Sequence, residues 1–296
     1  MVRPQSSPVD GRYDSAVLLL VDLDGVVYRG ADPVPGVAAV LVARVAAGDE
    51  VVYVTNNSLY YRADYVERLA AMGAPVAADR VVSSPRATAL WLTELARPPR
   101  RILALGGQGL RRELEDCGFE VVMAGDAAAR VAAEGIDGFE AAGRPDAVVI
   151  GLDPDLTYGR LAVAADAVRS GARFVATNRD PVFPAERRLM PGAGAMVAAV
   201  EVAAGVVPVS IGKPEPLLLR EAARVVGADP RDAVMIGDGI GTDLAAARAV
   251  GARCVLVLTG VATEAHVAAL PLDERPTAVA HDATELAAIL ERLAVG

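Results

Sequence analysis

Histidine, cysteine and tryptophan are nearly missing from this 296-residue chain, which holds two, two and one of them. His266 and His281 stand late in the chain, away from every polar cluster, so both read as surface residues and a histidine-based mechanism has little to be built from. Cys117 and Cys254 have neither metal-ligand nor CxxC spacing, and a chain of this length folds without staples. Reduced core thiols in a reducing, cytoplasmic compartment are therefore expected. Aromatic residues make up only 4%, and the lone Trp91 offers no stacking platform for single-stranded nucleic acid. Basic charge is also short: 29 Lys and Arg face 38 Asp and Glu, and the net charge of −9 repels a phosphate backbone or an anionic bilayer. Neither nucleic acid nor membrane is an expected partner. No membrane-spanning run is legible either. Met1 to Tyr13 is too polar for a signal peptide, and the apolar run Ala16 to Val21 stops at Asp22. Met190 to Gly212 has the length to cross about 30 Å of hydrocarbon, but Pro191, Glu201 and Pro208 interrupt it. Its part from Ala195 to Ala204 reads as a helix in a soluble core.

What is present is apolar and periodic. With 53% hydrophobic and 23% charged residues, the chain can bury one large core or two ordinary ones. Short apolar runs recur at Val17 to Val21, Val51 to Thr55, Arg101 to Leu105, Ala147 to Gly151, Phe174 to Thr177, Ala233 to Gly237 and Cys254 to Leu258. Each leads through a turn into an Ala-rich stretch of helical period. Runs without polar alternation are strands buried on both faces, so the fold class is α/β with parallel sheets covered by helices. Helices are expected over Gly36 to Ala47, Tyr61 to Met72, Pro85 to Ala96 and Glu215 to Val226, each closed by a Gly or Pro stop. The ARPPRR stretch, Ala96 to Arg101, is a linker by composition, and Gly205 to Pro208 a second. Two lobes follow: residues 1–98 with 207–296 form a discontinuous main domain, and 99–206 a smaller inserted α/β domain. The clusters Arg111-Arg112-Glu113 and Glu186-Arg187-Arg188 read as solvated faces, with facing the cleft as the alternative for the second, which stands near a Pro-rich loop. Val54-Thr55-Asn56-Asn57 is echoed by Ala176-Thr177-Asn178-Arg179, but one tetrapeptide is too little for a repeat.

Polar residues gather where the strands end. Leu18 to Val21 runs into Asp22-Leu23-Asp24-Gly25, at the strand edge where open α/β sheets bind ligands. Asp22 and Asp24 share a face if extended geometry persists, and two such carboxylates repel unless a cation or shared proton compensates. An Asp-Gly turn closing a strand is the plainer alternative. Val234 to Gly237 leads into Asp238-Gly239-Ile240-Gly241-Thr242-Asp243. Mg²⁺ takes oxygen ligands, commonly one or two carboxylates plus water and phosphate, and Asp22 with Asp238 could supply them. Asp243 either joins this site or caps the following helix. Thr55-Asn56-Asn57-Ser58 and Gly212-Lys213-Pro214 add the hydroxyl, amide and ammonium donors that a phosphate needs. Lys213 precedes a Pro that opens a helix, whose N-terminus favours anions; otherwise it is an exposed lysine.

Together, DLDG, VTNNS, GKP and GDGIGTD, in this order, resemble the haloacid dehalogenase superfamily of phosphohydrolases. The insertion between the second and third, with its ATNRD and PGAGAMVAAVE stretches, is similar to the branch containing the NagD type, p-nitrophenyl phosphatases, phosphoglycolate phosphatase and chronophin. The resemblance runs from about Leu18 to Gly260. It implies a Rossmann-like core interrupted by an α/β cap, and Mg²⁺-dependent hydrolysis of a small phosphomonoester through an aspartyl-phosphate. Asp22 would be the nucleophile, and Asp24 the acid that protonates the leaving oxygen and then activates water. Asp22, Asp238 and the Asp24 main-chain carbonyl would hold the metal. Thr55, the Asn56 backbone and the Asn57 side chain would hold phosphate, with Lys213 neutralising charge and Asp243 orienting Lys213 or a metal-bound water. Relatives also pair through their caps, which makes a homodimer an expectation.

Two departures bear on specificity. The fourth motif carries Gly239 and Gly241 where many relatives have bulkier residues. Phe183, in the Asn178 to Pro184 loop, stands near the position where chronophin-like relatives have a histidine. Phe183 either faces substrate or belongs to the small lobe's core. Two other classes compete with a hydrolase: a phosphate-binding regulatory module without turnover, and a phosphotransferase or mutase. The leaving group (glycerol phosphate, phosphoglycolate, a nucleotide monophosphate, nitrophenyl phosphate) has no readable code.

Overall fold

The computed structural model describes residues 16–141, 143–185 and 188–295. Met1 to Tyr13, and Glu186 and Arg187 of the second charged cluster, lie outside the described residues. The chain opens with β1 (Leu18–Asp22), then a small antiparallel hairpin, β2 (Tyr28–Arg29) and β3 (Asp32–Pro33). It continues through α1 (Val37–Ala46), β4 (Glu50–Thr55), α2 (Arg62–Ala71), β5 (Val81–Ser83) and α3 (Ser84–Thr93). Beyond the ARPPRR linker come β6 (Arg101–Leu105), α4 (Gln108–Glu115), β7 (Glu120–Met123) and α5 (Ala124–Ala141), which is broken at Gly135. Next are β8 (Ala147–Ile150), α6 (Tyr158–Arg169), β9 (Arg173–Ala176), the hairpin β10 (Val182–Ala185) and β11 (Arg188–Pro191), and α7 (Ala193–Ala204). The last stretch holds β12 (Val209–Ser210), α8 (Leu217–Arg224), β13 (Val234–Gly237), α9 (Ala245–Val250), β14 (Arg253–Val257), α10 (Glu264–Ala268), β15 (Ala278–Ala280) and α11 (Ala283–Val295).

Two parallel sheets result, in the α/β class read from the sequence. The first has strand order β15-β14-β13-β1-β4-β5 and the second β12-β9-β8-β6-β7. Both faces of the first sheet are buried, which is why its strands lack polar alternation. Leu18 and Leu20 pack with Val52, Val54 and Met235 on one side, while Leu19 and Val21 pack with Tyr53 and Ile236 on the other. The first of these clusters continues through Leu92, Leu114 and Leu218 to Ile102 and Val149 of the second sheet. α7 lays Ala193, Met196, Val197 and Val200 onto the second sheet's other face, as the reading of Ala195 to Ala204 anticipated. No helix among the described residues is long and apolar enough to cross a membrane.

Several readings change. Val209–Ser210 pairs with β9 of the second sheet, not with the first. The ladder extends as Ile211 N–H donates to Ala176 at 3.1 Å and Gly212 N–H to Thr177 at 2.7 Å, so the returning chain leaves that sheet only at Lys213. Pro214 does not open α8, which starts at Leu217 with Pro216 before it. Glu113 is no solvated residue: it is fully buried in α4, bonded to Arg62 at 2.8 Å and facing Arg86 at 3.7 Å, which ties α4 to α2 and α3. Cys254 is buried, but Cys117 is only partly so; both are free. Phe183 is half-buried in β10 and packs against the second sheet's core. His281 is exposed, between Glu264 and Glu285.

Candidate active site

Strand register places the site. β1 ends at Asp22, opposite Val54, one residue short of Thr55 at the end of β4, and β13 on the other side ends at Gly237, just before Asp238. The carboxyl ends of three adjacent parallel strands therefore deliver Asp22, Thr55 and Asp238 to one edge. Lys213 arrives from the second sheet after β12, and a cis bond joins it to Pro214. Its side chain is 3% exposed, with Nζ 2.6 Å from Asp22 Oδ1 and 2.7 Å from Asp243 Oδ1. A lysine that deep needs both partners, and their charges raise its pKa against the opposing effect of burial. Asp243 is buried because the turn after β13 folds it back beneath the strand. Its Oδ2 accepts from Gly239 N–H at 2.9 Å, leaving Oδ1 to Lys213.

Carboxylate oxygens of Asp22, Asp238 and Asp243 lie within 4.8 Å of one another. Burial pushes the Asp22 carboxyl well above its usual range, opposed by Lys213 and reinforced by Asp243 and Asp238. Burial, then Asp243, pushes Asp238 up to about 6. With all three ionised, the single ammonium leaves two negative charges unbalanced, and an oxygen-donor site with that deficit fits a divalent cation of the Mg²⁺ kind. Two glycines make room for the Asp238 side chain. Its Oδ2 accepts from Val261 N–H at 2.8 Å, and a Cβ on Gly260 would lie 1.8 Å from that oxygen. A Cβ on Gly25, whose φ is +81°, would lie 2.2 Å from it.

The Asp24 carboxylate is not among the three that cluster. Burial raises its pKa, while Arg68 and Lys213 pull it back. That suits a group which must hold a proton in one step and release it in the next. The Arg68 guanidinium lies 3.5 Å over the ring of Tyr28, just after the DLDG turn.

The donor loop differs in detail from expectation. Asn57 N–H donates to Thr55 Oγ1 at 3.1 Å, and Asn57 Oδ1 accepts from Leu59 N–H at 3.0 Å, so this loop is shaped by its own side chains. The Asn56 side chain is committed elsewhere. It donates to the Lys213 carbonyl at 2.8 Å and to both Asp180 oxygens at 3.1 Å, and accepts from Lys213 N–H at 2.8 Å. Asn56 thus fixes the lysine's backbone. Three residues that the sequence does not assign to the site, two of them in the ATNRD stretch, complete the frame. Asn178 Nδ2 donates to the Asn56 carbonyl at 2.7 Å, Ser84 Oγ donates to the same carbonyl at 2.7 Å, and Asp180 receives Asn56. The signal was there: the VTNN and ATNR segments that echo each other meet at this point.

Two family models match the chain: haloacid dehalogenase-like hydrolase over residues 19–120, and HAD-hydrolase-like over residues 210–286. An acid sugar phosphatase of Staphylococcus aureus is 37% identical over 244 residues, which cover 82% of this chain and 87% of that protein. The chain belongs to the haloacid dehalogenase-like hydrolases. Among solved structures, a p-nitrophenyl phosphatase from Archaeoglobus fulgidus matches with a TM-score of 0.80 at 28% identity, covering 93% of this chain and 99% of that one. A glycerol phosphate phosphatase from Mycobacterium tuberculosis, in complex with magnesium, matches with a TM-score of 0.76 at 34% identity, over 93% and 77% of the two chains. Within the family this is a phosphatase of the branch that holds the NagD and p-nitrophenyl phosphatase types, and phosphatases of that branch act on small substrates.

Proposed function

We propose that this phosphatase hydrolyses a small phosphomonoester through a phosphoryl group carried on Asp22. The observation that supports this reading most is the meeting of Asp22, Asp238 and Asp243 with the ammonium of Lys213 at one sheet edge. In the first step an Asp22 oxygen attacks phosphorus, the bond from phosphorus to the ester oxygen breaks, and Asp24 gives its proton to that oxygen. In the second, Asp24 as a carboxylate takes a proton from water, the water oxygen attacks phosphorus, and the Asp22 carboxylate leaves. Lys213, kept protonated by Asp22 and Asp243, offsets the repulsion between carboxylate and phosphodianion. Thr55 and Asn57 hold phosphate oxygens, while Asn56 acts through Lys213.

Asp22, Asp238 and the Asp24 main-chain carbonyl would hold Mg²⁺, which supplies further charge neutralisation at the phosphoryl oxygens. Asp243 belongs beside them as the residue that orients Lys213. We assign residues 1–98 and 213–296 to the core and 99–212 to the cap, a boundary supported by the ladder from β12 to β9, which the returning chain leaves only at Lys213. The substrate class is a phosphorylated polyol or sugar of the glycerol phosphate kind, in the cytoplasm. The exposed Leu189, Val202 and Val207 are apolar surface that pairing through the cap would cover. The test is a phosphate-release screen over sugar phosphates, glycerol phosphate, phosphoglycolate, nucleotide monophosphates and p-nitrophenyl phosphate, with and without Mg²⁺ and with added acceptor alcohols. Mg²⁺-dependent release to water supports the reading. Binding without release would favour a regulatory module, and transfer to the acceptor would favour a phosphotransferase.

A further inference from the structure

The acidic centre has an opposite elsewhere in the molecule. Arg97, Pro98, Pro99, Arg100, Asp146 and Arg173 line a groove of about 630 Å³. It lies along the linker that follows α3 and at the amino ends of β6, β8 and β9. The residues of the active-site frame, Asn178 and Asp180, follow the other end of β9. Four strand residues at about 3.3 Å each put more than a nanometre between the two. The groove is therefore separate from the catalytic centre.

Its charge is unusual for this chain. Acids outnumber bases overall, yet three arginines and a single acid line this groove. The side chains of Arg97 and Arg173 make no hydrogen bond or ion pair among the described residues. Asp146 is the one acid of the groove, and its Oδ2 is already engaged by Arg100 N–H at 2.8 Å and Arg101 N–H at 2.9 Å. These backbone donors, helped by the charge of Arg100, hold its carboxyl below the usual range, so it stays ionised without drawing in the other two guanidinium groups. What remains is a pair of guanidinium groups with no protein partner among the described residues, beside Pro98 and Pro99, in a groove whose volume falls within the range of about 300–1,000 Å³ typical of small-molecule sites. Guanidinium matches phosphoryl oxygens in a bidentate way, and two of them match two adjacent phosphoryl groups.

We propose that this groove is a second anion site, for a small molecule that carries two adjacent phosphoryl groups. Inorganic pyrophosphate is the probe, titrated calorimetrically into the full chain in EDTA, where the result does not depend on turnover or on the assignment of Asp22. Arg97→Ala with Arg173→Ala is expected to remove one binding event, or weaken it by about tenfold or more, which corresponds to about 1.4 kcal/mol. Arg220→Ala with Arg292→Ala, which alters two exposed arginines elsewhere, is expected to change nothing. Equal binding by wild type and the first variant overturns the proposal, as does equal weakening by the control pair. Orthophosphate binding as tightly as pyrophosphate overturns the diphosphate class. A measurement on the unaltered protein guards against misfolded variants: phenylglyoxal labelling of Arg97 and Arg173, mapped by mass spectrometry, should slow several-fold with pyrophosphate. Unchanged labelling contradicts the site.

Discussion

Lys213 is the only lysine in the chain, and replacing it with Met probes the centre through stability rather than turnover. The side chain is 3% exposed and touches two carboxylates whose own side chains are 10% and 1% exposed. Breaking such a buried pair costs about 3–5 kcal/mol, because the remaining charges keep their desolvation and lose their partner. For a chain of this size, with an unfolding entropy of about 2.1 cal/mol/K per residue, that is a fall in Tm of roughly 5–8 °C. The loss has a definite pH dependence. In the wild type, Lys213 has a raised pKa, so its contribution is complete below the ordinary lysine value and constant from pH 5 to 8. In Lys213→Met, Asp22 loses the neighbour that most opposes its upward shift. A carboxyl whose folded pKa exceeds its unfolded value binds more protons in the native state, so stability falls as pH rises between the two values. The deficit should therefore be small near pH 5 and full near pH 8. Urea denaturation of both proteins in EDTA, at pH steps across that window, reads it directly. At pH 8 Mg²⁺ should return part of the loss, since a cation is what the residual carboxylates lack. An equal deficit at pH 5 and pH 8, or none, would show that these charges are not mutually dependent.

Three other perturbations act at separate points. Gly260→Ala puts a methyl where Asp238 Oδ2 now sits, so Mg²⁺ half-saturation in a turnover assay should rise at least about tenfold with the circular dichroism spectrum unchanged. Asp180→Ala frees the Asn56 amide that holds Lys213; losing hydrogen bonds to a charged group, worth about 1.5–3 kcal/mol, should lower Tm by a few degrees and, because Asn56 fixes the Lys213 backbone, also raise KM about tenfold or more. A merely structural Asp180 would lower Tm and leave KM alone. Glu113→Gln leaves Arg62 and Arg86 facing a neutral, buried amide. Since Arg62 retains Asp116, the expected cost sits at the low end of a broken buried pair, about 3 kcal/mol in denaturant titration, with kcat unaffected.

Much of the centre was legible because each part terminates a buried strand. Apolar runs such as Leu18 to Val21 and Val234 to Gly237 announce themselves, and parallel pairing then forces their polar ends to one edge. What escaped the sequence depends on long-range pairing. β12 is two residues long, and only its ladder to β9 assigns it to the second sheet. β5, β7 and β15 are short strands at sheet edges, and the residues of β7 are only partly buried or exposed, so no continuous apolar run marks them. Glu113 looked solvated because its neighbours Arg111 and Arg112 are ordinary helix surface, whereas its partners Arg62 and Arg86 come from a distant part of the chain. The Asn56, Asn178 and Asp180 frame was visible only as an echo of four residues, and an echo gains meaning once β4 and β9 are known to end beside each other.

The central claim is that Asp22 carries the phosphoryl group. Mixing the protein with p-nitrophenyl phosphate labelled at phosphorus and Mg²⁺, quenching in acid, reducing acyl phosphate with borohydride and mapping the reduced residue by mass spectrometry tests it most directly. Reduction confined to Asp22, and lost in Asp22→Asn while that variant stays folded, is the expected result. Reduction at another carboxylate, or full phosphate release by Asp22→Asn, would contradict it.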